Sequence, residues 1–197
     1  MDRVTPRRPW GPSAARIGPR NLLASLALLL RLRARSARCG LVYCDGLWPV
    51  VHGGGRITLG RRFRVRGRSM RVEFGAVRGG ELLVGDNVFI NQGTLIVSEE
   101  RIEIGPDTLI SGHVTIMDTN SHELEEDAGV KSAPVLIGRN VWIGCNVVIL
   151  PGAVIGDHSV IAAGAVVHGE IPPRSLAAGS PARVIRELAA GDRWRRR

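Results

Sequence analysis

The sequence predicts an all-β solenoid made of six-residue repeats, and three observations predict it. A β-branched aliphatic residue recurs at every sixth position between residues 137 and 167. The fourth residue after each of the first five of these is small or β-branched. The residues between them are rich in glycine, asparagine and aspartate, which tolerate the left-handed backbone conformation that sharp corners require.

The period of six differs from that of the two common regular structures. A helix repeats every 3.6 residues and a half-buried strand every two, so neither produces it. A coil with three flat faces does, at about 18 residues per turn, because one aliphatic side chain per face points toward a shared axis. The aliphatic positions are Ile137, Ile143, Ile149, Ile155, Ile161 and Val167, and the small positions are Val141, Val147, Ala153, Ser159 and Ala165.

Earlier in the chain the same frame holds, with one displacement. It runs through Val84, Ile90, Ile96 and Ile102, and after a shift of two residues it resumes at Ile104, Ile110 and Ile116. Leu59 and Val65 form a degenerate earlier pair. We therefore expect the β-helix domain to occupy residues 57–188.

The segments that flank the repeats have a different composition. Residues 1–20 are rich in proline, arginine and glycine, which predicts a disordered tail. Residues 21–56 are predicted to form a linker and a helix, which Asn21 would cap and which would run from Leu22 to about Ala37. This helix is apolar in its first half and arginine-rich in its second. It either packs on the main domain, which we favour, or lies on an anionic membrane. Residues 189–197 are predicted to be a basic C-terminal tail.

The charge of the chain is unevenly distributed. The net charge is +9, with +14 in residues 1–78, −9 in residues 79–192 and +4 in the last five residues. Basic flanks suit a phosphate-rich or membrane-surface neighbour, and they equally suit a genome that favours arginine, since 26 of the 27 basic residues are Arg. Nucleic acid is not an expected partner, because the aromatic residues are too scattered among the arginines to form a stacking platform.

Cysteine content and hydropathy predict the compartment. Cys39, Cys44 and Cys145 do not make a disulfide framework, which favours a reducing cytoplasm. No apolar run reaches about 18 residues, so no segment is expected to cross a membrane unaided. We therefore expect a cytoplasmic protein, with membrane association through the N-terminal helix left open.

The repeat is interrupted once, between residues 116 and 135, by a polar loop. The loop carries His122 among several acids, and a histidine oriented by a carboxylate is a candidate general base. Either Asp118 or Glu123 could orient the imidazole, and the sequence does not choose between them. His113, inside a regular hexad, is the competing candidate for the base.

The C-terminal coils carry motifs that resemble those of a known family. The motifs are Asn140-Val141-Trp142-Ile143-Gly144, Ile171-Pro172-Pro173 and Ala178-Gly179-Ser180-Pro181-Ala182-Arg183-Val184-Ile185-Arg186. On these residues the chain resembles, over about residues 80–188, the hexapeptide-repeat acyltransferases with a left-handed parallel β-helix. It is most similar to their galactoside and maltose acetyltransferase branch.

The resemblance implies a reaction and an assembly. The reaction is transfer of an acetyl group from acetyl-CoA to a hydroxyl of a sugar or cell-surface glycoconjugate. Acetyl-CoA would be a co-substrate, and no cofactor would be bound permanently. The flat outer faces, together with a donor cleft that one subunit only half builds, imply a homotrimer.

The resemblance also implies roles for particular residues. His122 would be the general base in a direct transfer, and Asn91 would bind the acceptor sugar. Acetyl-CoA would contact Trp142, Cys145, Ala163, Arg183 and Arg186. Cys145 stands where the family often has Ser. His168-Gly169 replaces a frequent Thr-Lys pair, so one phosphate or adenine contact is lost or replaced.

The same residues bear on three alternative functions: a metal site, N-acetylation and a non-catalytic role. The spacing of the histidines at 113, 122, 158 and 168 is unlike that of the zinc ligands in solenoid carbonic anhydrases, so no metal is expected. N-acetylation of an amino-sugar nucleotide and a non-catalytic structural solenoid stay open. The presence of His122 together with Asn91 and Arg183 favours an enzyme over a scaffold.

Overall fold

The computed structural model describes residues 19–34 and 38–196. These residues contain one helix, α1 at Pro19–Ala34, and 21 strands. The strands before the loop are β1 Arg38–Cys39, β2 Val42–Gly46, β3 Val50–His52, β4 Arg56–Leu59, β5 Phe63–Gly67, β6 Glu73–Ala76, β7 Glu81–Val84, β8 Phe89–Ile90, β9 Leu95–Ser98, β10 Arg101–Ile104, β11 Leu109–Ile110 and β12 Thr115–Met117. The strands after it are β13 Val135–Ile137, β14 Trp142–Ile143, β15 Val148–Ile149, β16 Val154–Ile155, β17 Val160–Ile161, β18 Val166–Val167, β19 Glu170–Ile171, β20 Ser175–Gly179 and β21 Ala182–Glu187.

The strands form three sheets that the chain visits in turn. The first sheet has the order β1-β4-β7-β10-β13-β16-β19, the second β2-β5-β8-β11-β14-β17-β20-β21, and the third β18-β15-β12-β9-β6-β3. Among the described strands, β21 alone runs antiparallel to its neighbour. The predicted left-handed parallel β-helix of hexapeptide repeats is confirmed. We call the turns between the first and second sheets the first corners, those between the second and third sheets the second corners, and those from the third sheet into the next coil the third corners.

The strand register explains the period of six. Ile137 pairs with Ile155, Ile143 with Ile161, and Ile149 with Val167, so each partner lies three hexads further along the chain. All six predicted inward positions are buried, and so are the small residues that follow them at the fourth position. Each fully buried Ile contributes about 1.5–3 kcal/mol through the hydrophobic effect, so the stacked ladders supply most of the core stabilisation.

The corners have the conformation that the sequence predicts. At the first and second corners between residues 84 and 164, the third residue after the inward one has a positive φ. These residues include Asn87, Asp107, Asn140, Asn146 and Gly164, with φ between 53° and 74°. His113 and His158 occupy the same position with φ of 60° and 63°. For a residue with a Cβ this conformation costs about 1–3 kcal/mol, which the surrounding interactions offset.

Two changes of coil length agree with breaks in the sequence pattern. The displacement of the frame lengthens one coil by two residues, and in that coil Val84 pairs with Ile104 and Ile96 with Ile116. The polar loop then lies between Ile116 and its partner Ile149, which makes this coil almost twice as long as a regular one. The solenoid therefore absorbs both insertions at third corners without losing its register.

The solenoid begins earlier than the predicted boundary at residue 57. β1, β2 and β3 lie in residues 38–56 and extend the first, second and third sheets. Their inward residues Val42, Cys44 and Val51 are buried but are not six apart, which is why the hexad pattern does not reveal this coil. The predicted disordered tail of residues 1–20 falls outside the described residues, except for Pro19 and Arg20, which belong to α1.

The helix α1 packs on the terminal coil, as favoured from the sequence. Leu28 and Leu32 are buried, and the Ser25 hydroxyl accepts a hydrogen bond of 3.0 Å from the Cys44 N–H. Asn21 lies inside the helix instead of capping it, and its Nδ2 donates to the Tyr43 hydroxyl at 3.3 Å. Within the described part of the chain, no helix has the length and hydropathy needed to cross a membrane.

The predicted basic tail is folded against the first corners. The Arg139 guanidinium donates to the Asp192 carbonyl at 2.7 Å, and the Arg174 Nε donates to the Ala190 carbonyl at 2.8 Å. The tail therefore forms part of the domain as far as the structure describes it, to residue 196.

Candidate active site

Three of the six predicted binding residues, Asn91, Cys145 and Ala163, lie at the second corners. Asn91, Ser111, Cys145 and Ala163 follow β8, β11, β14 and β17, which are consecutive strands of the second sheet. Backbone hydrogen bonds fix their stacking. The Asn91 N–H donates to the Ile110 carbonyl at 3.0 Å, and the Gly164 N–H donates to the Cys145 carbonyl at 2.9 Å. We call these four residues the second-corner column.

Trp142 borders this column on the outer face of the second sheet. Its side chain is 46% exposed, and its indole N–H donates to the Ser111 hydroxyl at 3.2 Å. Cys145 and Ala163 are also exposed, with no hydrogen bond from the Cys145 thiol among the described residues. The column therefore presents an indole, a thiol and open backbone to solvent along one edge.

Arg183 and Arg186 extend the same sheet at its C-terminal end. They lie on β21, where Arg183 pairs with Ala178 and Arg186 with Leu176 of β20. Both side chains are exposed, and each guanidinium bonds only a neighbouring backbone carbonyl, of Ala182 at 2.9 Å or of Glu187 at 3.1 Å. In the described residues neither arginine has a carboxylate partner, so both guanidinium groups are available to bind an anion.

The loop that carries His122 leaves the solenoid at a third corner. Its stem is closed by hydrogen bonds from the Asn120 N–H to the Lys131 carbonyl, 3.1 Å, and from the Ala133 N–H to the Asp118 carbonyl, 2.9 Å. His122 is exposed, and no hydrogen bond joins it to the second-corner column among the described residues. One face of a coil separates the two corners, at most about 20 Å for six residues of extended chain. Within one chain, the predicted base and the predicted donor site therefore lie at different corners, with no described hydrogen bond between them.

Asp118 has a different role from the one considered from the sequence. Its side chain is fully buried, and it accepts hydrogen bonds from the Ser98 hydroxyl at 2.7 Å and from the Glu99 and Glu100 N–H groups at 2.8 and 3.0 Å. These donors belong to the preceding third corner. The carboxylate thus anchors the first residues of the loop to the solenoid, and it does not contact the His122 imidazole.

His113, the competing base, lies at a second corner. It occupies the left-handed corner position, its N–H donates to the Gln92 carbonyl at 2.9 Å, and its side chain is exposed. Its ring covers Gly93, where an added Cβ would stand 2.6 Å from the His113 Nδ1. Within one chain, His113 is therefore the histidine that shares a corner with Asn91.

Comparison with known proteins identifies the fold family. The family described as "Bacterial transferase hexapeptide (six repeats)" matches residues 134–169. The chain is 44% identical over 118 residues to the galactoside O-acetyltransferase of Escherichia coli K12, covering 58% of each protein. It is 34% identical over 149 residues to the putative lipopolysaccharide biosynthesis O-acetyl transferase WbbJ of the same organism, covering 70% of this chain and 74% of WbbJ. The chain belongs to the hexapeptide-repeat acyltransferase family.

A solved structure shows the same fold. It is that of a point mutant of AntD, an N-acyltransferase from Bacillus cereus, in complex with dTDP-4-amino-4,6-dideoxyglucose and coenzyme A. The TM-score is 0.66 at 18% identity, with 82% of this chain and 89% of that chain covered. The fold is thus shared at low sequence identity. The match to the galactoside O-acetyltransferase covers 58% of that protein's length.

Sequence reasoning missed Ser111 and the anchoring role of Asp118. In several coils the residue after the inward aliphatic is glycine, because a side chain there meets the next coil: a Cβ on Gly144 would stand 2.6 Å from the Ala163 N. Among the first and second corners from residue 84 to 164, Asn91, Ser111 and Ala162 replace glycine at this position, and the polar side chains of Asn91 and Ser111 mark these two in the sequence. Nothing comparable marks Asp118, because its partners are mostly backbone N–H groups.

Proposed function

We propose that the protein transfers an acetyl group from acetyl-CoA to a hydroxyl of a sugar or glycoconjugate. The observation that carries the proposal is the identity of 44% with a galactoside O-acetyltransferase. The second named sugar-pathway O-acetyl transferase, WbbJ, supports it over 74% of its own length. The exposed second-corner column supplies a surface on which such a donor could lie.

The donor lies along the second-corner column in this proposal. Coils are spaced by about 4.8 Å, so the four steps from the strand before Asn91 to β20 span about 19 Å. Trp142 forms one wall, Ala163 offers backbone to the pantetheine arm, and Arg183 and Arg186 bind the nucleotide phosphates at the far end. Coenzyme A in the complex of the relative AntD supports an acyl-CoA donor.

The proposed chemistry is a direct transfer. His122 takes the proton of the acceptor hydroxyl while the hydroxyl oxygen attacks the thioester carbonyl carbon. A backbone N–H holds the tetrahedral oxyanion. The intermediate collapses, the C–S bond breaks, and the thiolate of coenzyme A leaves and receives the proton from the imidazolium. Asn91 positions the acceptor through its amide.

We propose further that the active site forms between copies in a homotrimer. His122 and the second-corner column lie at different corners of one chain, so a neighbour must bring its loop to this column. The second sheet also carries a row of outward apolar side chains in register, which a neighbouring copy would cover. The row consists of Phe89, Leu109, Trp142, Val160 and Leu176.

The test is an acetyl-CoA turnover assay with a panel of oligosaccharide and amino-sugar acceptors. Thiol release above the hydrolysis background, with a product whose acetyl group is removed by mild alkali, supports an ester and hence O-acetylation. An alkali-stable product would assign N-acetylation of an amino sugar. If no acceptor gives turnover and coenzyme A does not bind, the non-catalytic solenoid is correct.

A further inference from the structure

The helix α1 has a second apolar face that nothing in the described chain covers. Leu22, Leu23, Leu26 and Leu30 are 60, 68, 53 and 59% exposed. At 3.6 residues per turn these four side chains fall within an arc of about 100°, on the side away from Leu28 and Leu32. An exposed apolar stripe of this size on one helix marks a surface that binds another apolar phase.

A groove continues this face onto the first coils. It has a volume of about 580 Å³ and is lined by Leu29, Gly40, Leu41, Arg33, Arg61 and Arg62. Leu41 is 74% exposed, so apolar surface extends beyond the helix. The groove therefore combines an apolar floor with three guanidinium groups. We call the four exposed leucines of α1 together with this groove the leucine–arginine face.

The positive charge around this face is largely uncompensated. In the described residues up to 78, the exposed arginines with no ion pair are Arg33, Arg38, Arg62 and Arg71. Arg61, by contrast, is paired with Asp86 at 2.7 Å. Because coils stack in chain order, the net charge of +10 in residues 19–34 and 38–78 is concentrated at one end of the solenoid, whereas residues 79–196 carry −6. The end that bears the leucine–arginine face is thus the basic end.

We propose that the leucine–arginine face docks on an anionic lipid bilayer. The exposed leucines of α1 insert at the boundary between headgroups and acyl chains, as the apolar face of an interfacial helix does. The guanidinium groups of Arg33 and Arg62 pair with lipid phosphates, to which a planar fork donates two hydrogen bonds. Attraction of the basic end to the surface potential orients the solenoid before insertion.

Charge decides against the other occupants of this face. A second copy seated on the same face would bring two sets of unpaired arginines together. Residues 1–18 contain four Arg and one Asp, so this segment has the same sign as the face. Only an anionic surface complements both the leucines and the arginines. The docking does not depend on the proposed acetyl transfer, since neither α1 nor the groove includes a residue of the candidate active site.

The test is vesicle co-sedimentation of the full chain. We expect binding to phosphatidylcholine vesicles that contain about 30% phosphatidylglycerol, little binding to pure phosphatidylcholine, and loss of binding as salt rises to about 0.5 M. The double variant Leu26→Gln, Leu30→Gln should bind at least about tenfold more weakly, because each leucine side chain loses its transfer free energy. Glutamine keeps the helix propensity of leucine, so the fold should be retained.

Matched variants control for composition. Leu124→Gln removes a leucine that is 75% exposed on the loop and should leave vesicle binding unchanged. Arg62→Gln should weaken binding, whereas Arg193→Gln in the tail should not. If the leucine variant changes the circular dichroism spectrum, Arg62→Gln carries the comparison alone.

Several results would overturn the proposal. Equal binding to neutral and anionic vesicles would show that the arginines do not contribute to docking. Binding to neither kind of vesicle would show that this face does not dock on a bilayer. If the leucine variant binds vesicles as tightly as the wild type, Leu26 and Leu30 do not insert into the bilayer. A leucine variant that changes the oligomeric mass without lipid assigns the face to a second copy.

Discussion

The first and second corners share one backbone geometry but differ in the exposure of their polar side chains. Asn140 and His158 lie at first corners with φ of 53° and 63°, and Asn146 and His113 lie at second corners with φ of 57° and 60°. The first pair is buried, at 0 and 2% exposure, and the second pair is exposed. A solenoid corner therefore becomes a binding surface when its polar groups lack protein partners, since those groups must bond solvent or ligand.

The first corner is closed by the C-terminal segment. The Arg196 N–H donates to the Asn140 Oδ1 at 2.8 Å, which leaves the Asn140 Nδ2 as a donor to the Trp194 carbonyl, 3.0 Å, and to the His158 Nδ1, 2.8 Å. The His158 Nδ1 is therefore an acceptor, and its proton is on Nε2. Burial, reinforced by the charge of Arg139, lowers the pKa of His158. The Asn140 amide thus has protein partners for both its oxygen and its nitrogen at this corner.

The largest expected effect comes from removing the loop histidine. His122→Ala should lower kcat by about 10²–10⁴-fold, because general-base catalysis contributes that much, while acetyl-CoA affinity stays nearly unchanged. His113→Ala should lower kcat far less, although it removes an exposed histidine from the second corner. Steady-state kinetics and calorimetric titration with coenzyme A measure both quantities. If His122→Ala keeps more than about a tenth of the wild-type kcat, the assignment of His122 as the base is wrong, and His113 is the next candidate to test.

The next largest effect tests whether one site draws on two chains. His122→Ala and Asn91→Ala should each be nearly inactive. Co-expressed from two tagged genes, they should recover about a third of the wild-type activity in mixed trimers, because one of the three contacts in every mixed trimer pairs an intact loop with an intact Asn91. Purification through both tags isolates the mixed oligomers. Mixed oligomers with no recovered activity would show that His122 and Asn91 act within the same chain.

A third prediction compares the two corners by stability. Asn140→Ala should reduce the free energy of unfolding by about 1–3 kcal/mol more than Asn146→Ala does. Both substitutions place Ala at a positive φ, so the backbone cost cancels, and the difference isolates the three hydrogen bonds of the buried amide. Urea denaturation of the two variants measures this difference. Equal losses would mean that the C-terminal segment contributes nothing to the first corner.

The fold could be predicted where one position repeats strictly. Residues 137–167 place an inward aliphatic every six residues, and one face of a coil consumes six residues, so sequence and geometry share a period. The terminal coil of residues 38–56 was not predicted, because Val42, Cys44 and Val51 fill the same interior without that spacing. The docking of the C-terminal segment was not predictable either, since it uses the Arg196 N–H and the Trp194 carbonyl, which no side-chain pattern records.

The candidate site could be predicted in its parts more than in its arrangement. Asn91, Trp142, Cys145 and Ala163 follow from a family resemblance. The strand register then places Asn91, Cys145 and Ala163 along one row of corners and Trp142 on the adjoining sheet face. The corner from which the His122 loop leaves can be predicted only by assigning each hexad to a face of the solenoid. The two-residue displacement near residue 100 interrupts that assignment. The roles of these residues stay predictions, and the kinetic and mixing experiments above test them.

The smallest expected effect is the pH dependence of stability at the buried corner. Because the folded-state pKa of His158 is lowered, the unfolded chain binds more protons between that pKa and about 6.5, the ordinary value for histidine. The contribution of His158 to stability is therefore fully present above pH 6.5 and is lost as the pH falls toward the folded-state pKa, with a slope of at most about 1.4 kcal/mol per pH unit.

The variant His158→Asn tests this assignment. It keeps a residue that tolerates positive φ and does not titrate, so it should flatten this part of the stability curve. His113→Asn makes the same change at an exposed second corner and should leave the slope as in the wild type. Urea midpoints from pH 5 to pH 8 for the three proteins measure the slopes, and the shared titration of carboxylates cancels in the differences. A slope that persists in His158→Asn, or that disappears in His113→Asn, would contradict the assignment of the buried neutral imidazole to the first corner.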